Sequence, residues 1–353
     1  MKAQLILENG MVFEGQAFGY FKEKIGEVIV NTSMTGYQEI LTNPAYYGQI
    51  VIMTYPMIGN YGINLDDMQS KKVQIKGLVV REKCDIPNNF RCELTLDGYM
   101  KASGIIGIEG IDTRALAKVV RECGVMKGII AVRELTPSQI KLKLEAFSNS
   151  EAVGKVTRAE ISYIEGTGKH IGIVDLGVRQ SAIHSLKAKG CKITLFPAFT
   201  SAKEFLESNF DGILVSSGPG SPHDIPQVTE EIKNLVGKIP LIGMGLGHQV
   251  LALAIGAEVS RLGFGHHGGA QSVKDTLTNR IQSTSQTHSY VVSRLPSEAV
   301  ISHININDET IEGMYVKEKR IYSIQFHPQS PTVSGEIDSI YDNFLTIIQG
   351  GQL

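Results

Sequence analysis

Residues 239–257, IPLIGMGLGHQVLALAIGA, decide the fold of the C-terminal half of the chain. They begin as an apolar, β-like run, pass through the glycine-rich residues 243–247, and end in an Ala/Leu-rich stretch. That order predicts a buried strand, a sharp turn and a buried helix. The stretch has no formal charge, but its proline, its glycines and the pair His248 and Gln249 argue against a membrane span.

The residues before this stretch alternate short apolar strands with helices. Strands are predicted at 170–177 (HIGIVDLG), 192–198 (KITLFPA) and 212–216 (GILVS), with helices at 180–189 and 228–236 between or after them. Short β-branched strands separated by helices predict a mostly parallel sheet with helices on both faces. The fold class is therefore α/β.

The first 150 residues differ, because strand patterns dominate them. A polar segment with three glycines, residues 148–169, separates the two patterns. We predict a β-rich domain at 1–150, a linker at 151–169 and an α/β domain at 170–353. The length of 353 residues is that of about two domains.

Composition excludes several classes of protein. Hydrophobic residues make up 42% and charged residues 20%, which rules out disorder and coiled coil. The net charge of −2, with no basic run, gives no support for nucleic-acid or membrane binding. The four cysteines are too scattered for a disulfide scaffold or a zinc ribbon; they are Cys84, Cys92, Cys123 and Cys191. The N-terminus lacks the apolar core of a signal peptide, so we expect a cytoplasmic protein.

Two glycine motifs follow predicted strands. In residues 216–222 (SSGPGSP), Gly218 and Gly220 let backbone N–H groups approach a ligand closely, as an oxyanion hole requires. Residues 243–247 have the G-x-X-x-G spacing of a nucleophile elbow, whose central residue stands above the sheet near a helix N-terminus. That central residue is Gly245, which has no side chain. Taken alone, each motif is more typical of an ordinary turn.

Two histidine motifs complete the set. Residues 325–329 (QFHPQ) place His327 just beyond a predicted strand, as a candidate general base, but Gln329 cannot serve as the anionic group that orients such a base. Residues 265–269 (GHHGG) are interpreted as a structural loop rather than a metal site, because adjacent histidines of an extended segment point to opposite faces.

In their order the first three motifs resemble those of the class I (triad-type) glutamine amidotransferases: a Gly-Pro-Gly turn, then G-x-C-x-G-H-Q, then F-H-P-E. Within that group the whole chain is similar to the small-subunit family of carbamoyl-phosphate synthetases. The runs that carry this finer resemblance are 26–32, 33–42 (SMTGYQEILT), 54–60 (TYPMIGN), 110–114 (GIDTR) and 264–269 (FGHHGG).

The resemblance implies a β-rich small-subunit domain followed by a flavodoxin-like amidotransferase domain. In the family, glutamine is hydrolysed through a cysteinyl thioester, and the ammonia passes to a large subunit that makes carbamoyl phosphate for pyrimidine and arginine biosynthesis. It further implies a heterodimer with that subunit. ATP and Mg²⁺ are expected on the large subunit, and no metal or cofactor is expected in this chain.

The sequence departs from the family pattern at the reacting positions. Gly245 stands where the family has its nucleophilic cysteine, His327 keeps the base position, and Gln329 replaces the orienting glutamate. Without the thiol, covalent catalysis by the family route cannot occur. The positions that correspond to the glutamine pocket are partly altered (Ala45, Thr287, Ser289 and Tyr290) and partly kept (Gly218, Gly220, Leu246 and Gln249).

Three hypotheses follow from this comparison. The first is a small subunit without glutaminase activity, which supports or regulates a large subunit that uses free ammonia. The second is an active glutaminase that takes its nucleophile from elsewhere in the chain. The third is a pseudoenzyme that senses glutamine or another small metabolite without turnover.

Overall fold

The computed structural model describes residues 1–327 and 337–351, apart from the side chains of 337–339. The chain divides into two compact units. The first comprises Met1–Asn149 together with Gly263–Gly268, and the second comprises Ser150–Leu262 and Gly269–Leu353.

The first unit contains nine strands and four α-helices among its described residues. Its strands are β1 (Lys2–Leu7), β2 (Val12–Gly19), β3 (Lys24–Asn31), β4 (Gln49–Met53), β5 (Met57–Ile58), β6 (Gly77–Val79), β7 (Glu82–Lys83), β8 (Ile106–Glu109) and β9 (Met126–Ala131). Its helices are α1 (Tyr37–Thr42), α2 (Leu96–Ala102), α3 (Thr113–Cys123) and α4 (Pro137–Ala146), with a short 3₁₀ helix at Pro44–Tyr46.

Seven of these strands close into a barrel in the order β1-β2-β8-β6-β4-β3-β9. Alternate side chains of the strands, such as Leu5, Val28 and Ile50, are fully buried in one apolar cluster. Full closure leaves no open sheet edge in the barrel. The prediction of a β-rich N-terminal domain is confirmed.

Local capping explains where the longer helices of this unit begin. Asp112 accepts hydrogen bonds from the backbone N–H groups of Arg114 and Ala115 at the start of α3. Thr136 and Gln139 form a reciprocal capping box at the start of α4, with Pro137 in the first turn.

The second unit contains the alternating elements. Its strands are β10 (Ser162–Ile164), β11 (His170–Asp175), β12 (Lys192–Pro197), β13 (Gly212–Val215), β14 (Leu241–Met244), β15 (Glu258–Asp275), β16 (Ile281–Arg294), β17 (Val300–Asn305), β18 (Ile311–Val316) and β19 (Ile321–Ile324). Its helices are α5 (Ala152–Val156), α6 (Gln180–Ala188), α7 (Ala202–Leu206), α8 (Pro226–Lys233), α9 (Leu246–Ala254) and α10 (Ile337–Ile348).

These strands form one sheet in the order β10-β12-β11-β13-β14-β19-β18-β16-β15-β17. The five central strands, from β12 to β19, run parallel to one another. Counted along the chain, their order is 2-1-3-4-5, which is the flavodoxin-like arrangement. The predicted flavodoxin-like α/β domain is confirmed, with an antiparallel extension from β18 onward.

Helices cover both faces of the parallel strands. Buried side chains of α8 and α9, among them Val228 and Val250, pack on one face. Buried side chains of α6 and α10, among them Ile183 and Phe344, pack on the other. Loops that follow the parallel strands consequently meet at one edge, the place where ligands bind in such sheets.

The structure differs from the predicted linker at 151–169. This segment forms α5 and β10, and β10 pairs antiparallel with β12, so the segment belongs to the second unit. Val153 explains the difference, because it is buried in the apolar cluster of that unit despite its polar surroundings in sequence. Among the described residues, no helix has the length and hydropathy of a bilayer span.

Candidate active site

The turn between β14 and α9 is built around Gly245. Its backbone has φ 58° and ψ −117°, a conformation in which only glycine is unstrained. Its N–H donates to the carbonyl of Ile324 on β19 at 2.9 Å, and its own carbonyl accepts from the N–H of His248 at 3.1 Å. The glycine therefore joins the strand, its neighbour β19 and the first turn of the helix at one point.

Close packing beneath the turn depends on Gly247. A β-carbon at this position would lie 2.0 Å from the carbonyl oxygen of Val215 on β13. The first turn of α9 can consequently approach the neighbouring strand only because residue 247 has no side chain. The glycine-rich sequence thus serves both the turn and the packing of the helix.

His327 faces the position that Gly245 leaves vacant. A β-carbon at residue 245 would lie 3.6 Å from Nε2 of His327 and 3.1 Å from Cβ of Ser217. The backbone of His327 forms a two-way bridge with Ser285, at 2.8 and 3.2 Å, which fixes the histidine beyond the end of β19. The structure therefore brings the elbow, the Gly-Pro-Gly turn and the histidine together.

The imidazole of His327 is held neutral. Burial lowers its pKa well below the ordinary value, and the nearby positive charge of Arg179 lowers the pKa further. Its Nε2 has no hydrogen-bond partner among the described residues. A neutral, buried imidazole nitrogen can accept a hydrogen bond from a bound molecule.

The Gly-Pro-Gly turn after β13 is fixed by Ser216. Its hydroxyl accepts from the N–H of Leu176 and donates to the carbonyl of Ser217, both at 2.9 Å. Gly218 lies so close to Leu176 that a β-carbon would be 2.2 Å from the Leu176 carbonyl oxygen. Gly220 has φ 82°, in the region that favours glycine.

Strand β16 carries Thr287, Ser289 and Tyr290, the positions predicted for the glutamine pocket, and all three are half-buried. It is tied to α9 by Gln249, whose Nε2 donates to the carbonyl of Tyr290 at 2.9 Å and to Oε1 of Gln325 at 3.0 Å. Both amide hydrogens of Gln249 are thereby used. Its Oε1 is buried and has no hydrogen-bond partner among the described residues. Leu246 begins α9 and is buried.

Two predicted positions are described separately. Ala45 is in the first unit, buried in the 3₁₀ helix Pro44–Tyr46, where Asn43 caps its N–H at 3.0 Å. Gln329 lies outside the described residues. For these two positions the sequence-based assignment stays a prediction.

Residues 264–268 of the FGHHGG run, together with Gly263, belong to the first unit. The carbonyl of His267 accepts from the N–H of Thr32 at 3.4 Å, and a β-carbon at Gly268 would lie 2.7 Å from Oγ1 of Thr32. Burial lowers the pKa of His267 to about 3, with a smaller effect of His266. Residues 263–268 are thus packed in the first unit, although the residues that flank them in sequence belong to the second unit.

Sequence reasoning missed Gln325 and Arg179 as members of the site. Gln325 is the first residue of the QFHPQ motif, two positions before His327, and that position is a signal that it could contact the same site. Arg179 immediately precedes α6, at the carboxyl-end side of β11, and that topological place is the signal that could have identified it.

Two family models match the chain. Residues 5–130 match the model described as carbamoyl-phosphate synthase small chain, CPSase domain. Residues 172–347 match the model described as glutamine amidotransferase class-I.

Two curated relatives agree with these matches. The chain is 52% identical over 345 residues to a carbamoyl phosphate synthase small chain of Clostridium perfringens, covering 98% of this chain and 99% of that one. It is 42% identical over 354 residues to a carbamoyl phosphate synthase pyrimidine-specific small chain of Bacillus subtilis, covering 99% and 96%. A solved glutamine amidotransferase from Thermotoga maritima has a TM-score of 0.38 and 17% identity, covering 50% of this chain and 84% of that one.

Proposed function

The chain belongs to the carbamoyl-phosphate synthase small-chain family, and on that premise we propose that it is a small subunit without glutaminase activity of its own. In this role it binds and supports a large subunit, which makes carbamoyl phosphate from free ammonia. ATP and Mg²⁺ are bound by that large subunit.

The relationship between Gly245 and His327 carries this proposal. The base position is occupied and lies 3.6 Å from where a nucleophile's β-carbon would be, yet residue 245 offers no atom to attack a carboxamide. A thioester cannot form without a sulfur atom at this point. The site keeps the shape of an amidotransferase centre and lacks its bond-forming group.

The side chains around Gly245 and His327 support the proposed loss of glutaminase activity. Ser217 faces the vacant position, but no described hydroxyl or thiol is hydrogen-bonded to Nε2 of His327. Cys191 precedes β12 and lies at the amino-end side of the parallel strands, whereas Gly245 follows β14 at their carboxyl ends. The hypothesis of a nucleophile from elsewhere therefore gains no support from Ser217 or Cys191.

Residue 329 also supports the proposed absence of glutaminase activity. Gln329 is uncharged, so it cannot stabilise an imidazolium as a glutamate would. A neutral His327 with a low pKa then has little tendency to take up the proton that nucleophile activation requires.

Glutamine binding without turnover is a second candidate function, favoured by Gln249. Its buried Oε1 is an acceptor without a hydrogen-bond partner among the described residues, and leaving such an atom unpaired costs free energy. A ligand amine or amide that donates to this oxygen would remove that cost. Calorimetric titration with glutamine tests this candidate, and absence of binding heat would count against it.

The first experiment is an assay of glutamate release by the chain purified with its large subunit. We expect no glutamate above the rate of the large subunit alone. Trapping with a glutamine analogue that alkylates or acylates nucleophiles, followed by peptide mapping, should leave the chain unmodified. Pyrimidine and arginine synthesis both consume carbamoyl phosphate, so the neighbouring genes are needed to assign the chain to one of these pathways.

A further inference from the structure

A buried carboxylate lies beside a buried histidine behind the pocket strand. Glu312 on β18 is completely buried, and its Oε1 lies 3.8 Å from Nε2 of His288 on β16. Neither residue belongs to the predicted catalytic set. A buried carboxylate is costly unless a cation or several donors compensate it, so this pair needs an explanation.

Both ring nitrogens of His288 face oxygen acceptors. Nδ1 lies 2.9 Å from the carbonyl oxygen of Tyr290, and Nε2 lies 3.1 Å from Oε1 of Gln286. A carbonyl oxygen can only accept, so Nδ1 must carry a proton.

The orientation of the Gln286 side-chain amide determines whether the other ring nitrogen of His288, Nε2, donates or accepts a hydrogen bond. The hydroxyl of Thr284 donates to the carbonyl of Gln271 at 2.9 Å, so toward Gln286 it can only accept. The amide nitrogen of Gln286 therefore faces Thr284, at 3.4 Å, and its oxygen faces His288. In this orientation Nε2 of His288 donates to Oε1 of Gln286, and a ring that donates from both nitrogens is an imidazolium next to the Glu312 carboxylate.

This cation has a direct connection to the pocket. The Tyr290 carbonyl that accepts from His288 also accepts from Nε2 of Gln249, again at 2.9 Å. The second hydrogen of the Gln249 amide goes to Gln325, so the direction of Gln249 Oε1 is set by these two bonds. A charged donor at His288 holds the Tyr290 carbonyl more firmly than a neutral donor would.

We propose that Glu312 is a positioning residue of this pocket, which keeps His288 doubly protonated and so holds the Tyr290 carbonyl that orients Gln249. The proposal deepens the proposed function, because the pocket is the same one. Its test needs neither a ligand nor turnover, so failure of the proposed function and failure of this inference are distinguishable.

The test is nitrogen NMR of the full chain labelled at its histidine rings, at neutral pH. The signals of His288 are identified by their loss in His288→Gln. We expect both ring nitrogens of His288 to be protonated in the unsubstituted protein. A neutral ring would overturn the proposal without any further variant.

Two matched variants extend the test. Glu312→Gln keeps the size of the side chain and removes its charge, so His288 should become neutral and the side-chain amide hydrogens of Gln249 should exchange with solvent about tenfold faster. Glu258→Gln makes the same chemical change at an exposed carboxylate that pairs with Arg294, and both readouts should stay unchanged. Glu312→Asp keeps the charge and should keep the imidazolium. A doubly protonated His288 in Glu312→Gln would overturn the assignment.

Discussion

A β-carbon at residue 245 would lie 3.6 Å from Nε2 of His327, close enough for a single sulfur atom to bridge the gap between them. The base position is thus occupied by His327, and the nucleophile position is empty. The backbone at Gly245, with φ 58° and ψ −117°, shows that the elbow conformation persists without the group it would present.

Gly245→Ala should lower the free energy of unfolding by about 1–3 kcal/mol, because alanine is strained in this conformation. Its β-carbon would also lie 3.1 Å from Cβ of Ser217. Gly256→Ala is the control: φ is 86° there, but nothing lies within 4 Å of the added carbon, so a smaller loss of about 1 kcal/mol is expected. Urea unfolding measures the free energy of unfolding of both variants. If Gly245→Ala were as stable as the unsubstituted chain, the claim that alanine is strained at residue 245 would be wrong.

Gly245→Cys alone should not restore substantial glutaminase activity. A thiol at residue 245 would face His327, but Gln329 cannot stabilise the imidazolium that forms when the thiol gives up its proton. Gly245→Cys/Gln329→Glu should exceed the single variant in kcat by on the order of 10²–10⁴. Glutamate release is measured for both in the complex with the large subunit. A single variant as active as the double variant would show that residue 329 has no role.

Gly247→Ala should destabilise the protein by about 1–3 kcal/mol, because the added carbon meets a backbone carbonyl that cannot move alone. That carbon would lie 2.0 Å from the oxygen of Val215, so α9 would have to shift away from β13. Gly263→Ala, where nothing lies within 4 Å of the added carbon, should stay within about 0.5 kcal/mol of the unsubstituted chain. Thermal unfolding of the two variants decides between these outcomes.

Acid should lower the free energy of unfolding of the protein, and His248 should account for part of that loss. Burial, with a smaller effect of His303, lowers the pKa of His248 from 6.5 to about 3, while its Nδ1 is hydrogen-bonded to Ser323 at 2.8 Å. The unfolded chain binds a proton here below about pH 6.5 and the folded chain does not, so stability is present above that pH and is lost as the pH falls toward 3. Between about pH 7 and about pH 5 the loss from this group is about 2 kcal/mol.

His248→Gln should reduce that pH dependence by a similar amount. Exposed His184 provides the control, because His184→Gln should leave the dependence unchanged. Urea unfolding at the two pH values measures the difference. A variant at residue 248 with the full pH dependence of the unsubstituted chain would contradict the assignment.

The sequence predicts the second unit well where local patterns dominate. Strand 212–216, the turn at Gly245 and the helix after it follow from apolar runs and glycine positions, and the structure has β13, β14 and α9 there. The carboxyl ends of parallel strands meet at one edge, which is why Ser217, Gly245 and His327 could be expected to lie together.

Other features depend on pairings that no local pattern reveals. Residues 151–169 are polar in sequence, yet β10 is held by pairing with β12, a partner about thirty residues away along the chain. The His288 and Glu312 pair joins two strands whose register the sequence does not specify, so its charges could not be matched in advance. Residues 263–268 join the first unit for a similar reason, since only the folded chain shows that Gly268 fits against Thr32.

The most direct test of the central claim compares nitrogen sources for the chain purified with its large subunit. Carbamoyl phosphate formation is measured with ATP, bicarbonate and either glutamine or ammonium as the sole donor. We predict synthesis with ammonium and none above background with glutamine. Glutamine-dependent synthesis, accompanied by one glutamate released for each carbamoyl phosphate formed, would contradict the account.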